Sequence, residues 1–265
     1  MTAATAMLAG KVAVITGASQ GIGRAVALRL AQDGADCMLL ARSEEPLRDL
    51  AAEITALGRR AEWLTVDLST PEGCIAAANA ARDRFAERID ILVNSAGDTK
   101  AGLFPDQPDE DWVSGFALKF FGAVRLSRAL WPSLKESHGT LINIGGAAAY
   151  TPSPGFMVGG AVNAALAHVS KSLAKQGLKD DVNVNIIHPG ATVTGRMERL
   201  LEQQAAAEGI TVEEARAKSE AASGLRRLGR PEDIAAMVAF LCSPEARHVQ
   251  GVQIAVDGGG TAGLA

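Results

Sequence analysis

The stretch "KVAVITGASQGIG", Lys11 to Gly23, decides the fold. "KVAVIT" is a short apolar, β-rich run bounded by Gly10 and Gly17, and the glycine-rich turn after it opens a helical pattern. In such a strand–turn–helix, Gly17, Gly21 and Gly23 let the backbone turn tightly and let a pyrophosphate approach the helix N-terminus. Free N–H groups and the helix dipole there favour negative charge. Ser19 and Ile22 belong to the same turn and are read as contacts of the same ligand. A lone glycine turn is a weak signal; its position at the start of a βαβ unit makes it a strong one.

Outward from this turn, strand-like runs alternate with Ala/Leu/Arg-rich helical segments. "DCMLLA", "EWLTVD", "IDILVNSAG", "GTLINIG", "VNVNIIHPG" and "GVQIAV" follow the first run. They are continuously apolar rather than alternating, which signals burial on both faces. Strand and helix in turn imply a parallel sheet covered on both sides. The expected architecture is α/β: a Rossmann-type, doubly wound parallel sheet of about seven strands. No linker or composition shift divides residues 1–265, so one domain is expected. The charged, Ala-rich segment at about 196–228, between strands six and seven, reads either as surface decoration or as a mobile lid over a pocket; its position favours the lid.

With 265 residues, 48% hydrophobic and 21% charged, the chain has the composition of a soluble globular protein. A formal charge of −4 offers no electrostatic reason for a nucleic-acid or anionic-membrane partner. Cys37, Cys74 and Cys242 lack metal-ligand spacing and read as buried free thiols in a reducing cytoplasm. No Cys/His or His/Asp cluster indicates a metal. The start "MTAATAMLAGKVAVITG" reads as no signal peptide, and no apolar run approaches the ~20 residues that span a bilayer.

Several motifs together carry a resemblance. Thr16-Gly17, Gly21 and Gly23 resemble the cofactor motif of the short-chain dehydrogenase/reductase family. Asn94-Ser95-Ala96-Gly97 is similar to that family's Asn-Asn-Ala-Gly, with serine at the second place. "HPGATVTG", including Pro189, Gly190, Thr192 and Thr194, resembles its Pro-Gly segment, and "LGRPEDIAAMVAFLCSPEARHVQGVQIAVDGGG" its C-terminal segment. The resemblance covers nearly the whole chain. It implies a nicotinamide dinucleotide, with Asp67 and Leu68 beside the adenine, Asn94, Ala96 and Gly97 along the cofactor, and Thr194 at the nicotinamide carboxamide. It also implies a homotetramer or homodimer. At the end of the second strand, members preferring NAD carry an acidic residue; this chain has Ala41, Arg42 and Ser43. With a guanidinium to hold a 2′-phosphate and no carboxylate to repel it, NADP(H) is expected over NAD(H), unless Arg42 is only a solvated surface charge.

The same resemblance exposes a gap. The family places a tyrosine on a helix, a lysine four residues later and a serine thirteen residues before. The tyrosine moves the proton at the substrate oxygen, the lysine lowers its pKa and holds the ribose, and the serine orients the substrate. Anchored on "AALAHVSKSLA", these positions fall on Gly159, Asn163 and Gly146. Tyr150 is the chain's one tyrosine and follows the fifth strand; Lys171 lies about two helical turns past Asn163. Where the family has asparagine in "N-x-x-G" on the preceding helix, "KFFG" supplies Lys119, so lysine and asparagine look exchanged between two helices. Lys119 reads either as a solvent-reaching side chain or as a relocated ammonium able to act as acid, base or nucleophile. Water in the space over Gly159 and the substrate itself are further proton sources, Tyr150 and Ser153 reach a substrate if their loop folds inward, and His188 before Pro189 reads better as structural. The expected function is an NADP(H)-binding oxidoreductase with a non-standard site for a small organic carbonyl, enone or imine. The alternative is a lyase- or isomerase-type enzyme, or a cofactor-binding pseudoenzyme.

Overall fold

The computed structural model describes residues 6–261. Its strands are β1 (Val12–Thr16), β2 (Asp36–Ala41), β3 (Ala61–Thr65), β4 (Ile91–Asn94), β5 (Thr140–Ile144), β6 (Asn183–Pro189) and β7 (Gln253–Val256). They form one sheet in the order β3-β2-β1-β4-β5-β6-β7, parallel at every pairing. Every residue of β1, β4, β5 and β6 is buried, which explains their unbroken apolar or small-polar character. This is the doubly wound architecture expected from the alternation of elements. The third strand is shorter than "EWLTVD" suggested: it ends at Thr65, and Asp67 lies in the loop beyond it.

The helices are α1 (Gly21–Gln32), α2 (Glu44–Ala56), α3 (Pro71–Arg84), α4 (Asp109–Gly115), α5 (Ala123–Glu136), α6 (Met157–Asp180), α7 (Gly195–Glu208), α8 (Val212–Ser223) and α9 (Pro231–Cys242). In α1, Gly23, Val26, Ala27, Leu30 and Ala31 are buried, an i, i+3, i+4, i+7 stripe that seats the helix on the sheet. Val26 and Leu30 of α1, Leu50 and Ile54 of α2 and Ile234 and Val238 of α9 fill one face. Cys74 and Ala81 of α3 with Leu126, Leu130 and Leu134 of α5 fill the other. All three cysteines are free and buried. None of the helices among the described residues is long and apolar enough to cross a membrane.

Sheet order sets the position of the site. The chain winds outward to β3, then crosses back to β4, so β1 and β4 are neighbours whose following segments leave in opposite directions. The crevice at their carboxyl ends is where ligands of open α/β sheets bind. Thr16 closes β1 by accepting from the backbone N–H groups of Ser95 and Ala96, each at 2.9 Å, so the loops after β1 and β4 are fastened at that crevice.

Candidate functional site

A cleft of about 760 Å³ opens along the carboxyl edge of the sheet. Gly17, Ser19, Gly21, Ile22 and Gly23 line its middle. Gly17 has φ +66°, and a Cβ there would lie 2.9 Å from the Ala96 Cα; a Cβ on Gly23 would lie 2.3 Å from the Gly17 carbonyl oxygen. Backbone occupies the space that side chains would need, so both positions demand glycine. The N-terminus of α1 opens at this turn, and its free N–H groups give an anion cradle that suits a pyrophosphate.

At one end of the cleft stand Arg42 and Ser43, exposed just after β2, with buried Ala41 before them. Leu68, Ala96 and Gly97 line it further in, and Pro189, Gly190, Thr192 and Thr194 line the wall after β6. Two residues expected beside the cofactor, Asp67 and Asn94, do not line the cleft. Asp67 is outside the lining: its carboxylate accepts from the Ser69 N–H at 2.9 Å, which holds its pKa below the usual carboxylate range. Asn94 is buried beneath the cleft, its amide nitrogen donating to Ser127 Oγ at 3.0 Å and Asn143 Oδ1 at 2.9 Å. Asn143 in turn donates to Ser170 Oγ at 2.8 Å, so this network ties β4 and β5 to α5 and α6.

Lys119 lies in the cleft, half-buried. It belongs to a π-helical turn, Phe116–Gly122, between α4 and α5. Its aliphatic stem crosses Gly97, where a Cβ would lie 2.8 Å from Lys119 Cδ. Its ammonium donates to the Gly145 carbonyl at 3.0 Å. Burial lowers its pKa to about 8, and no carboxylate among the described residues compensates it. Gly145 is itself confined, since a Cβ there would meet the His188 ring at 2.8 Å.

Asn163 and Gly146 meet at the same end of the cleft. Asn163 is 3% exposed and lines the cleft, yet its Oδ1 has no hydrogen-bond partner among the described residues. A Cβ on Gly146 would lie 2.7 Å from Asn163 Nδ2. Gly159 differs from expectation. A Cβ there would lie 2.0 Å from the Phe156 ring, so an aromatic side chain, not open space for water, covers this glycine. Phe156 also lines the cleft, giving it an apolar wall.

Tyr150 stands apart, outside the cleft lining. Its hydroxyl donates to Gln253 Oε1 and lies 3.2 Å from His188 Nε2. His188 is fully buried, with Nδ1 3.0 Å from the Gly146 carbonyl; burial lowers its pKa and raises that of Tyr150. Both rings brace the floor behind Gly145 and Gly146, consistent with a structural histidine.

Above the cleft, Met197 of α7 joins the lining. Helices α7 and α8 share a small core of Leu201, Ala205, Ala215 and Leu228, separate from the two sheet cores. The Gly145 carbonyl, which holds the Lys119 ammonium, was not anticipated from the sequence. The glycine pair at 145–146 was its one local hint.

A doubly wound parallel sheet with a glycine cradle at its switch point defines a Rossmann-type α/β protein. A family model described as enoyl-(acyl carrier protein) reductase matches residues 17–261. An uncharacterized oxidoreductase of Mycobacterium tuberculosis is 37% identical over 251 residues, 94% of this chain and 91% of the relative. The 3-oxoacyl-[acyl-carrier-protein] reductase of Haemophilus influenzae is 34% identical over 94% of this chain and 98% of its own. The L-sorbose reductase of Gluconobacter frateurii, solved with NADPH and L-sorbose, superimposes with a TM-score of 0.94 at 32% identity, covering 98% of this chain and 100% of that one. The chain belongs to the short-chain dehydrogenase/reductase family.

Proposed function

We propose that the chain is an NADP(H)-dependent oxidoreductase whose ionisable group is Lys119, acting on a small organic carbonyl, enone or imine. The observation that carries this reading is the Lys119 ammonium in the cleft, with a pKa of about 8 and no carboxylate partner. The family's serine, tyrosine and lysine positions hold Gly146, Gly159 and Asn163, so in this reading the acid–base group has moved to another helix rather than vanished.

The residues present fit a phosphorylated dinucleotide. The cradle at Gly17–Gly23 suits the pyrophosphate, and Arg42 suits a 2′-phosphate, with no acidic residue at position 41 to oppose it. When bound, the cofactor supplies or accepts a hydride. Everything else falls to the chain. In reduction, the substrate carbon gains the hydride and its oxygen or nitrogen gains one proton. Lys119 gives that proton as ammonium and recovers it from solvent; in oxidation, the neutral amine takes it. Gly145 holds the ammonium in place through its carbonyl, and Phe156 offers the substrate an apolar face. We assign α7 and α8 as a lid over this one-domain fold, supported by their separate core and by Met197 in the lining. A cytoplasmic homotetramer or homodimer completes the reading, supported by exposed Val113 and Phe121 on the α4–α5 side. The loss of all three family groups supports the second reading, a non-redox enzyme or pseudoenzyme on the same cleft.

Arg42→Ala is expected to weaken NADPH binding about ten- to a hundredfold, the loss of one charge-assisted contact, and to leave NADH nearly unchanged. Titration of both cofactors checks this. Equal losses, or tighter NADH binding by the native protein, would count against the cofactor preference.

A further inference from the structure

Tyr150, the chain's one tyrosine, lies outside the cleft lining, yet a directed series of hydrogen bonds leads from its hydroxyl to the Lys119 ammonium. The hydroxyl donates to Gln253 Oε1 at the start of β7. With its proton committed there, the oxygen is left to accept from the His188 ring, whose Nε2 is 3.2 Å away. That contact puts the ring proton on Nε2 and leaves Nδ1 as an acceptor. Gly146 presents its backbone N–H to Nδ1 at 3.3 Å, while its carbonyl, 3.0 Å from the same nitrogen, is the partner of the opposite tautomer. Tyr150 and Gln253 therefore select between the two.

The Gly146 N–H and the Gly145 carbonyl are the two ends of one planar peptide unit. His188 Nδ1 holds one end, and the other accepts from the Lys119 ammonium at 3.0 Å. The Gly145 N–H is fastened too, donating to the Ile187 carbonyl at 2.7 Å. Without these bonds, two successive glycines would turn freely. The His188 ring packs closely enough that a Cβ on Gly145 would come within 2.8 Å of Nδ1, and it meets the Tyr150 ring edge-on at 4.8 Å between centroids. Burial and the nearby Lys119 charge lower the His188 pKa, so the ring stays neutral. Its tautomer, rather than its charge, is what the neighbours set.

We propose that His188 is a positioning residue: with its tautomer chosen by Tyr150 and Gln253, it orients the peptide whose carbonyl holds the Lys119 ammonium in the cleft. Its effect on turnover rests on the reading of Lys119 given above, whereas the positioning acts on the ammonium itself. Tyr150 thus serves the site from behind rather than by touching the substrate.

The test uses the full chain without ligand, carrying ¹⁵N-labelled imidazole and ¹³C-labelled lysine side chains, followed by NMR. In the native protein, His188 is expected to be protonated on Nε2 and Lys119 to titrate at about 8. Tyr150→Phe keeps the ring and removes the hydroxyl. It is expected to move His188 toward the Nδ1-protonated form and to lower the Lys119 midpoint by about half a pH unit to one, because a weakened hydrogen bond stabilises the ammonium less. His188→Asn, whose Oδ1 accepts in place of Nδ1, is expected to keep that midpoint closer to native than His188→Leu does. Tyr150→Phe decides the matter even where a His188 variant fails to fold. A native midpoint of about 8 that Tyr150→Phe leaves in place, or a native ring protonated on Nδ1, would overturn the positioning role and leave the Lys119 reading standing. A native midpoint near 10.5 would overturn both.

Discussion

Lys119→Met is expected to lower turnover by on the order of 10²- to 10⁴-fold, while NADPH affinity stays within a few-fold. Methionine keeps the stem that crosses Gly97 but removes the ammonium held by the Gly145 carbonyl. Lys119→Arg is expected to rescue poorly, since a guanidinium stays charged and gives up no proton. With a pKa of about 8, native reduction falls as pH rises through 8, and oxidation rises through the same range. Both limbs vanish in Lys119→Met. Stability follows the same titration. Between about pH 8 and the ordinary lysine value of 10.5, the unfolded chain binds more protons than the folded one, so native stability rises with pH across that window. Below it, the desolvated charge weighs in full. Lys119→Met is therefore expected to be more stable than the native protein at neutral pH, by about 1–3 kcal/mol, with the gap closing as pH climbs through the window. Steady-state assays across pH and denaturant melts at pH 7 and pH 10 check both; a variant with native turnover would refute the role given to Lys119.

Gly23→Ala is expected to do damage of another kind. The added Cβ would lie 2.3 Å from the Gly17 carbonyl oxygen, and that obstacle is backbone, which cannot swing aside as a side-chain tip would. The turn must shift, costing about 1–3 kcal/mol of stability and displacing the N–H groups of the cradle. Loss of NADPH affinity by about a hundredfold or more is expected, because several charge-assisted bonds to one pyrophosphate fail together. Gly155→Ala is the control: nothing lies within 4 Å of a Cβ there, and no effect is expected. Calorimetric binding and thermal melts of the pair give the answer; native-like binding by Gly23→Ala would contradict the assignment of the cradle.

The fold was legible because its signals are local. Buried parallel strands read as continuous apolar runs, and the turn at Gly17–Gly23 carries its own geometric demand. Arg42, Lys119 and Asn163 could be picked out because each follows or sits within a motif. Less legible was where individual side chains turn. Asp67 has the right residue type in the right loop, but its carboxylate bonds to the backbone two residues on. Asn94 turns to Ser127 and Asn143 beneath the sheet edge. The space expected over Gly159 is filled by Phe156, whose ring folds back along the start of α6. The π turn that carries Lys119 reads in sequence as plain helix, since "FALKFFG" holds nothing that a helical pattern would refuse.

The measurement that most directly tests relocation of the site's ionisable group is the titration of Lys119 itself. Protein carrying ¹³C-labelled lysine side chains, with the Lys119 signal assigned by its loss in Lys119→Met, would be followed by NMR from pH 6 to pH 11, a range chosen to bracket about 8 and 10.5. The expected midpoint is about 8, moving when NADPH is added, because the ammonium is desolvated in the cleft proposed for the cofactor. A midpoint near 10.5 that NADPH leaves untouched would show a lysine in open water, and would contradict the claim that this site keeps its chemistry on Lys119.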